Sequence, residues 1–218
     1  MRNLGKPIPD AITQSNVQQY KTIEKQYKSI ANDVQGINVF RYANNLYGHQ
    51  EYVEALSFQH YLQSRSLISY DEVSEHLKQF GGITLPPEDY LLGVYDMTGE
   101  LMRFAIGAIA TGGRMPDHGN VSEEGGSSSS NTTGMRDDSI WFLLSDLREL
   151  RKLLDNLDVA AGGPSFRAEV DKKGEVMRIS VEKVENALYG LVVRENEFVA
   201  PNKAIVKSGS LNNEISTR

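Results

Sequence analysis

The 218-residue chain contains no cysteine. This excludes disulfides, Cys-ligated zinc and a thiol nucleophile, and it fits a reducing compartment. No apolar run reaches the roughly 18 residues of a membrane span, and residues 1–7 lack the apolar core of a signal peptide. We therefore expect a soluble intracellular protein with no membrane association, located in the cytoplasm, with the nucleus as a second location.

Positive charge is also scarce. Lys and Arg number 23 against 29 Asp and Glu, which gives a formal net charge of −6. Such a balance provides no broad attraction to nucleic acid or to anionic membrane. If the substrate is a polyanion, the attraction must come from a local basic patch, a bound cation or a partner chain.

Strand-like alternation is scarce as well, and helical periodicity takes its place. Apolar residues recur three or four positions apart along most of the chain, which predicts amphipathic helices. The predicted helices cover about 10–34, 39–65, 69–79, 86–111, 137–157 and 173–193. The helix after Pro86-Pro87 is apolar almost all round, as is typical of a central bundle helix. The prediction is an all-α fold, an antiparallel bundle of about six or seven helices.

Local signals refine this prediction. Ser69 with Glu72 matches a capping box, and Gly81-Gly82 is expected to close the helix that it opens. Residues 114–136 are rich in Gly and Ser and predict a flexible loop inside a single domain spanning 1–218; a domain boundary there is the alternative. A frayed tail is expected after about residue 199.

Four carboxylates are the most informative feature of the chain. Glu51 and Glu54 lie three residues apart, and Asp96 and Glu100 four apart, so each pair projects from one face of a mostly apolar helix. An inward carboxylate is costly unless a cation meets it. The pattern therefore favours a hard divalent cation held by oxygen ligands. The alternative is an acidic pair on a solvated helix face.

Two blocks carry these acids: Gln50-Glu51-Tyr52-Val53-Glu54-Ala55, and Asp96-Met97-Thr98-Gly99-Glu100-Leu101-Met102-Arg103. Together with Val184-Glu185-Asn186-Ala187-Leu188-Tyr189, they resemble the TRAX (translin-associated factor X) branch of the translin family, and the resemblance covers most of residues 37–196. Residues 114–136 are longer than the family pattern, and the region before Gly36 is too divergent to align.

The resemblance implies a translin-like helical bundle that co-assembles with translin into a closed hetero-oligomer and supplies a metal-dependent endoribonuclease centre. The family's catalytic, metal-binding acids fall on Glu51, Glu54, Asp96 and Glu100. Mg²⁺ or Mn²⁺ held there would lower the pKa of a water and stabilise charge on the phosphate of a single-stranded or structured RNA. The sequence leaves open whether that RNA belongs to RNA interference or to transfer-RNA processing.

Four further side chains are candidates for RNA or phosphate contact: Arg103, His49, His60 and Arg65. Arg103 alternatively pairs with Glu100, three residues away. The histidines are alternatively structural, and Arg65 alternatively belongs to a solvated charged face.

Three functions therefore remain open at the level of sequence. The first is a magnesium-dependent endoribonuclease subunit. The second is a non-catalytic assembly partner of translin that shapes an RNA-binding hetero-oligomer. The third is a helical adaptor with no RNA role.

Overall fold

The computed structural model describes residues 10–42, 46, 48–110, 139–159 and 162–208. Across these ranges every regular element is helical, which confirms the all-α prediction. The helices are α1 Asp10–Ile30, α2 Asn38–Tyr42, α3 Gly48–Ser64, α4 Tyr70–Gln79, α5 Pro87–Ala110, α6 Ser139–Asp155 and α7 Gly163–Ser208. The predicted flexible loop at 114–136 lies outside the described residues.

Helix α5 is the centre of the bundle, as its all-round apolarity predicted. It packs against α3, α6 and α7, and α6 also packs against α7. Side chains from all four helices are fully buried in one core: Val53, Leu101, Leu143 and Val184. None of the described helices combines the length and apolarity needed to cross a membrane.

Helices α3 and α5 approach closely at Gly93. A Cβ placed on Gly93 would lie 2.6 Å from the Val53 Cβ and 2.7 Å from the Gln50 carbonyl oxygen. Only glycine fits this crossing, as expected where two helix backbones meet. Glu54 follows Val53, and Asp96 lies one turn after Gly93, so the same crossing sets the distance between the two carboxylates.

Several helix boundaries differ from the predicted ones. The helix predicted over 39–65 is two helices, α2 and α3; α3 starts at Gly48, one of the weakest helix formers. The last helix begins at Gly163, ten residues before the predicted start at 173, because Pro164 fits the first turn of a helix rather than only ending the previous one. Its backbone stays helical through Ser208, where the sequence predicted a frayed tail after about 199.

Helix α4 follows its local signals. The Ser69 hydroxyl accepts from the Glu72 backbone N–H, and the Glu72 carboxylate accepts from the Ser69 N–H at 2.8 Å, which confirms the capping box. Gly81 and Gly82 follow with φ of 103° and 80°. These left-handed conformations end the helix, as predicted.

Candidate functional site

Three of the predicted carboxylates lie near the α3–α5 crossing and interact electrostatically, and we call Glu51, Glu54 and Asp96 the acidic site. Glu51 is exposed, whereas Glu54 and Asp96 are half-buried. Burial raises the pKa of Glu54, and the negative charges of Asp96 and Glu51 raise it further. The acidic site therefore concentrates negative charge contributed by two helices.

A lysine from a third helix forms an ion pair with one of these carboxylates. The Lys173 ammonium of α7 donates to both carboxylate oxygens of Asp96, at 2.5 and 2.6 Å. The Lys173 side chain is 20% exposed and that of Asp96 33%. Lys173 and Arg103 are also the two cations that oppose the rise in the Glu54 pKa. Positive charge at the acidic site is thus built into the fold.

Sequence reasoning did not identify Lys173, although a signal was present. In α7 the buried positions Val170 and Met177 lie three residues before and four residues after Lys173. This spacing puts a lysine in the apolar seam that faces the bundle. A cation at such a position predicts a buried or half-buried anionic partner, which is Asp96.

Glu100 takes a different partner. Its carboxylate forms an ion pair with the Arg103 guanidinium, three residues further along α5. This is the structural alternative that the spacing left open for Arg103. The Arg103 side chain is 69% exposed, so it remains accessible at the edge of the acidic site.

The carboxylate oxygens at this site are suitable ligands for a hard divalent cation. They are not arranged as a complete metal-binding site. Within the ranges that the structure describes, no three Asp, Glu or His side chains converge closely enough to hold an ion. Burial raises the pKa of Glu54, and the charges of Asp96 and Glu51 raise it further. The Lys173 ammonium on Asp96 shows that a cation is stabilised beside this carboxylate. Carboxylate oxygens are the ligands that Mg²⁺ prefers. Glu51, Glu54 and Asp96 therefore supply suitable oxygen donors, and holding an ion would require them to draw closer together.

His49 is buried, which favours its structural alternative over a contact with RNA. Only 1% of its surface is exposed, and its ring stacks on Tyr27 with centroids 5.6 Å apart. Nδ1 lies 3.2 Å from an Asp89 carboxylate oxygen. The contacts of His49 join α1, α3 and α5, and its contact with RNA stays a prediction.

His60 lies on a different side of α3 from Glu54. The two are six residues apart, which separates them by about 120° around the helix axis. The His60 Nε2 lies 3.0 Å from the Ser66 hydroxyl. Its ring lines a cavity of about 450 Å³ next to α4, together with Glu72 and His76. The geometry gives His60 no place at the acidic site, and its contact with RNA stays a prediction.

Arg65 is engaged within the fold. Its guanidinium donates to both carboxylate oxygens of Asp146 in α6, with the shortest distance 2.8 Å, and lies 4.9 Å from the centroid of the Phe142 ring. The Tyr61 hydroxyl donates to the same carboxylate at 2.7 Å. Burial and this bond raise the pKa of Tyr61, so the hydroxyl keeps its proton. The cluster joins the end of α3 to α6.

We expect Arg65→Gln to destabilise the fold by about 1–2 kcal/mol, because it leaves the half-buried Asp146 without its cation. Thermal unfolding measures this loss. RNA affinity should stay unchanged relative to Arg41→Gln, which removes an exposed cation from α2. A loss of affinity without a loss of stability would instead favour Arg65 as an RNA contact.

Comparisons with known proteins identify the family of this chain. The model of the Translin family matches residues 2–195. The translin-associated protein X of Pongo abelii is 32% identical over 214 residues, which covers 88% of this chain and 64% of that protein. The mouse protein of the same name is 34% identical over 173 residues, covering 69% of this chain and 50% of that protein.

A fungal relative extends the match. The translin-associated protein X homolog of Schizosaccharomyces pombe is 30% identical over 193 residues, which covers 88% of this chain and 69% of that protein. The chain spans between one half and about two thirds of the length of these curated relatives. Since the family model matches most of its residues, the chain belongs to the Translin family.

Proposed function

We propose that this chain is the catalytic subunit of a hetero-oligomer with translin and that it cleaves RNA in a reaction dependent on Mg²⁺ or Mn²⁺. Its relatives are named for association with translin, which supports the partner. The observation that supports the catalytic part is that carboxylates from α3 and α5 act on one another at Glu54. Burial raises the pKa of this half-buried carboxyl most, and the charges of Asp96, from a different helix, and Glu51 raise it further.

Glu51, Glu54 and Asp96 would hold the ion, with Glu100 at the edge of the site. When bound, the ion supplies activation of water and neutralisation of the charge that develops on the phosphate. Glu54 and Asp96 lie beside the close contact of α3 with α5 at Val53 and Gly93. Arg103, exposed on the same helix as Asp96, would pair with a phosphate oxygen of the RNA backbone in exchange for Glu100.

The proposed partner would supply the positive charge needed to attract RNA. A net charge of −6 repels RNA at long range, so translin would contribute the positive surface that brings a single-stranded or structured RNA to the acidic site. The cellular setting that follows is RNA interference or transfer-RNA processing, in the cytoplasm or the nucleus.

The direct test is metal-dependent cleavage by the assembled complex. The chain is co-expressed with translin, the mass of the complex is measured, and a labelled RNA is incubated with it. We expect cleavage with Mg²⁺ or Mn²⁺, loss of cleavage in excess EDTA, and recovery when Mg²⁺ is restored in excess over the chelator. A complex that assembles but cleaves equally well in EDTA would contradict the proposal.

The second candidate is a non-catalytic partner of translin, and one observation favours it. Asp96 and Glu100 already have cationic partners within the chain, Lys173 and Arg103. Exposed apolar side chains on α6 and α7 would serve such a role: Trp141, Leu153, Val176, Ile179 and Tyr189. A complex of normal mass that binds RNA but never cleaves it with either metal would favour this candidate.

A further inference from the structure

The Lys173–Asp96 pair is unusual for its place in the fold. It links the central helix α5 to α7, and both carboxylate oxygens of Asp96 accept from the same ammonium. Arg103 does not take this role, because it pairs with Glu100. Among the described residues, Lys173 is therefore the cation in direct contact with the acidic site.

An ammonium and a divalent cation seek the same oxygen atoms. At 2.5 and 2.6 Å from the two oxygens, the Lys173 nitrogen occupies the space in front of the Asp96 carboxylate that an ion would need. Two cations on one carboxylate would also repel each other strongly in this half-buried setting. Lys173 is unbranched and has a flexible four-carbon stem, so its ammonium can withdraw without movement of α7.

We propose that Lys173 is a built-in counter-ion that competes with a divalent cation for Asp96, so that an ion binds only after the ammonium has left the carboxylate. The inference rests on the proposed metal-dependent function. Lys173 then acts as a positioning residue. In the metal-free chain it offsets the repulsion between Asp96 and Glu54, and it weakens metal binding by the energy of its own ion pair.

The test is Mn²⁺ binding to the full chain, purified in its soluble form, alone or with translin, and titrated by calorimetry. Lys173→Met keeps the length of the stem and removes the charge, and Lys173→Gln is a second uncharged variant. We expect the apparent Kd for Mn²⁺ to fall by about tenfold in both variants. We expect the gain to disappear when Asp96→Asn is added.

Two controls make the result specific. Lys172→Met removes an exposed charge from the neighbouring position and should leave the Kd unchanged. Lys173→Arg keeps a cation and should give no gain. A Kd that is unchanged or higher in the uncharged Lys173 variants, an equal gain in Lys172→Met, or no Mn²⁺ binding in any form would each overturn the inference.

The outcome separates this inference from the proposed function. A complex that cleaves RNA with Mg²⁺ but shows no change of Kd in Lys173→Met would overturn the competition alone. A tenfold gain in Mn²⁺ affinity, in a complex that never cleaves RNA, would support the competition and contradict the nuclease.

Discussion

Replacing Glu54 by glutamine is expected to lower metal-dependent RNA cleavage by about a hundredfold, because it removes one anionic ligand from the proposed metal site. The same change should leave the fold as stable as before, or more stable. The pKa of Glu54 is raised in the fold by burial and by Asp96 and Glu51. Its ionised form therefore opposes folding at pH values above that raised pKa, and a neutral amide relieves this opposition.

The pH dependence of this effect has a definite sign. The folded chain binds the Glu54 proton more tightly than the unfolded chain does, so the contribution of Glu54 to stability falls as pH rises through its unfolded and folded pKa values. The advantage of Glu54→Gln over the parent should thus appear near neutral pH and vanish in acid. Thermal unfolding at several pH values measures it.

A matched acid provides the control for Glu54. Glu75 on α4 is 62% exposed and far less constrained, with Lys78 at 3.7 Å as its partner. Glu75→Gln should alter neither cleavage nor its metal requirement. Full activity in Glu54→Gln would remove Glu54 from the catalytic site, and a large loss of stability in that variant would show that its carboxylate has a structural partner.

Sequence reasoning reached the fold because the apolar periodicity of each helix is local information. The central place of α5 followed from its apolar surface on every side, and the start of α4 followed from Ser69 and Glu72. The start of α7 was missed because Pro164 both terminates and initiates helices. Nothing in the periodicity distinguished the two.

At the site, the sequence spacing identified acids that share a helix face. It did not identify the residues of other helices that form ion pairs or hydrogen bonds there. Glu51 and Glu54 share a helix, so their proximity was predictable, whereas the contact of Asp96 with Lys173 joins residues 77 positions apart. His49 shows the same limit, since its burial depends on Tyr27 and Asp89 from other helices. Tertiary partners decide whether a polar residue serves the fold or a ligand.

The α3–α5 crossing supplies the second large effect. We expect Gly93→Ala to destabilise the chain by about 1–2 kcal/mol, because the new Cβ meets the Val53 Cβ and a backbone carbonyl that cannot rotate away. The gain in helix propensity, about 1 kcal/mol, offsets only part of this overpacking. Thermal unfolding should show a fall of roughly 4 °C. Cleavage should fall too, because separating α3 from α5 moves Glu54 away from Asp96.

Gly99 provides the opposite result on the same helix. A Cβ there meets nothing within 4 Å, so Gly99→Ala should raise the free energy of unfolding by up to about 1 kcal/mol. The intrinsic helix propensity of alanine is the same at both positions, so the two variants differ only in the atoms that the new Cβ contacts. If both variants were stabilised, α3 and α5 could not be in the close contact described here, and the distance between Glu54 and Asp96 would no longer be fixed by Gly93.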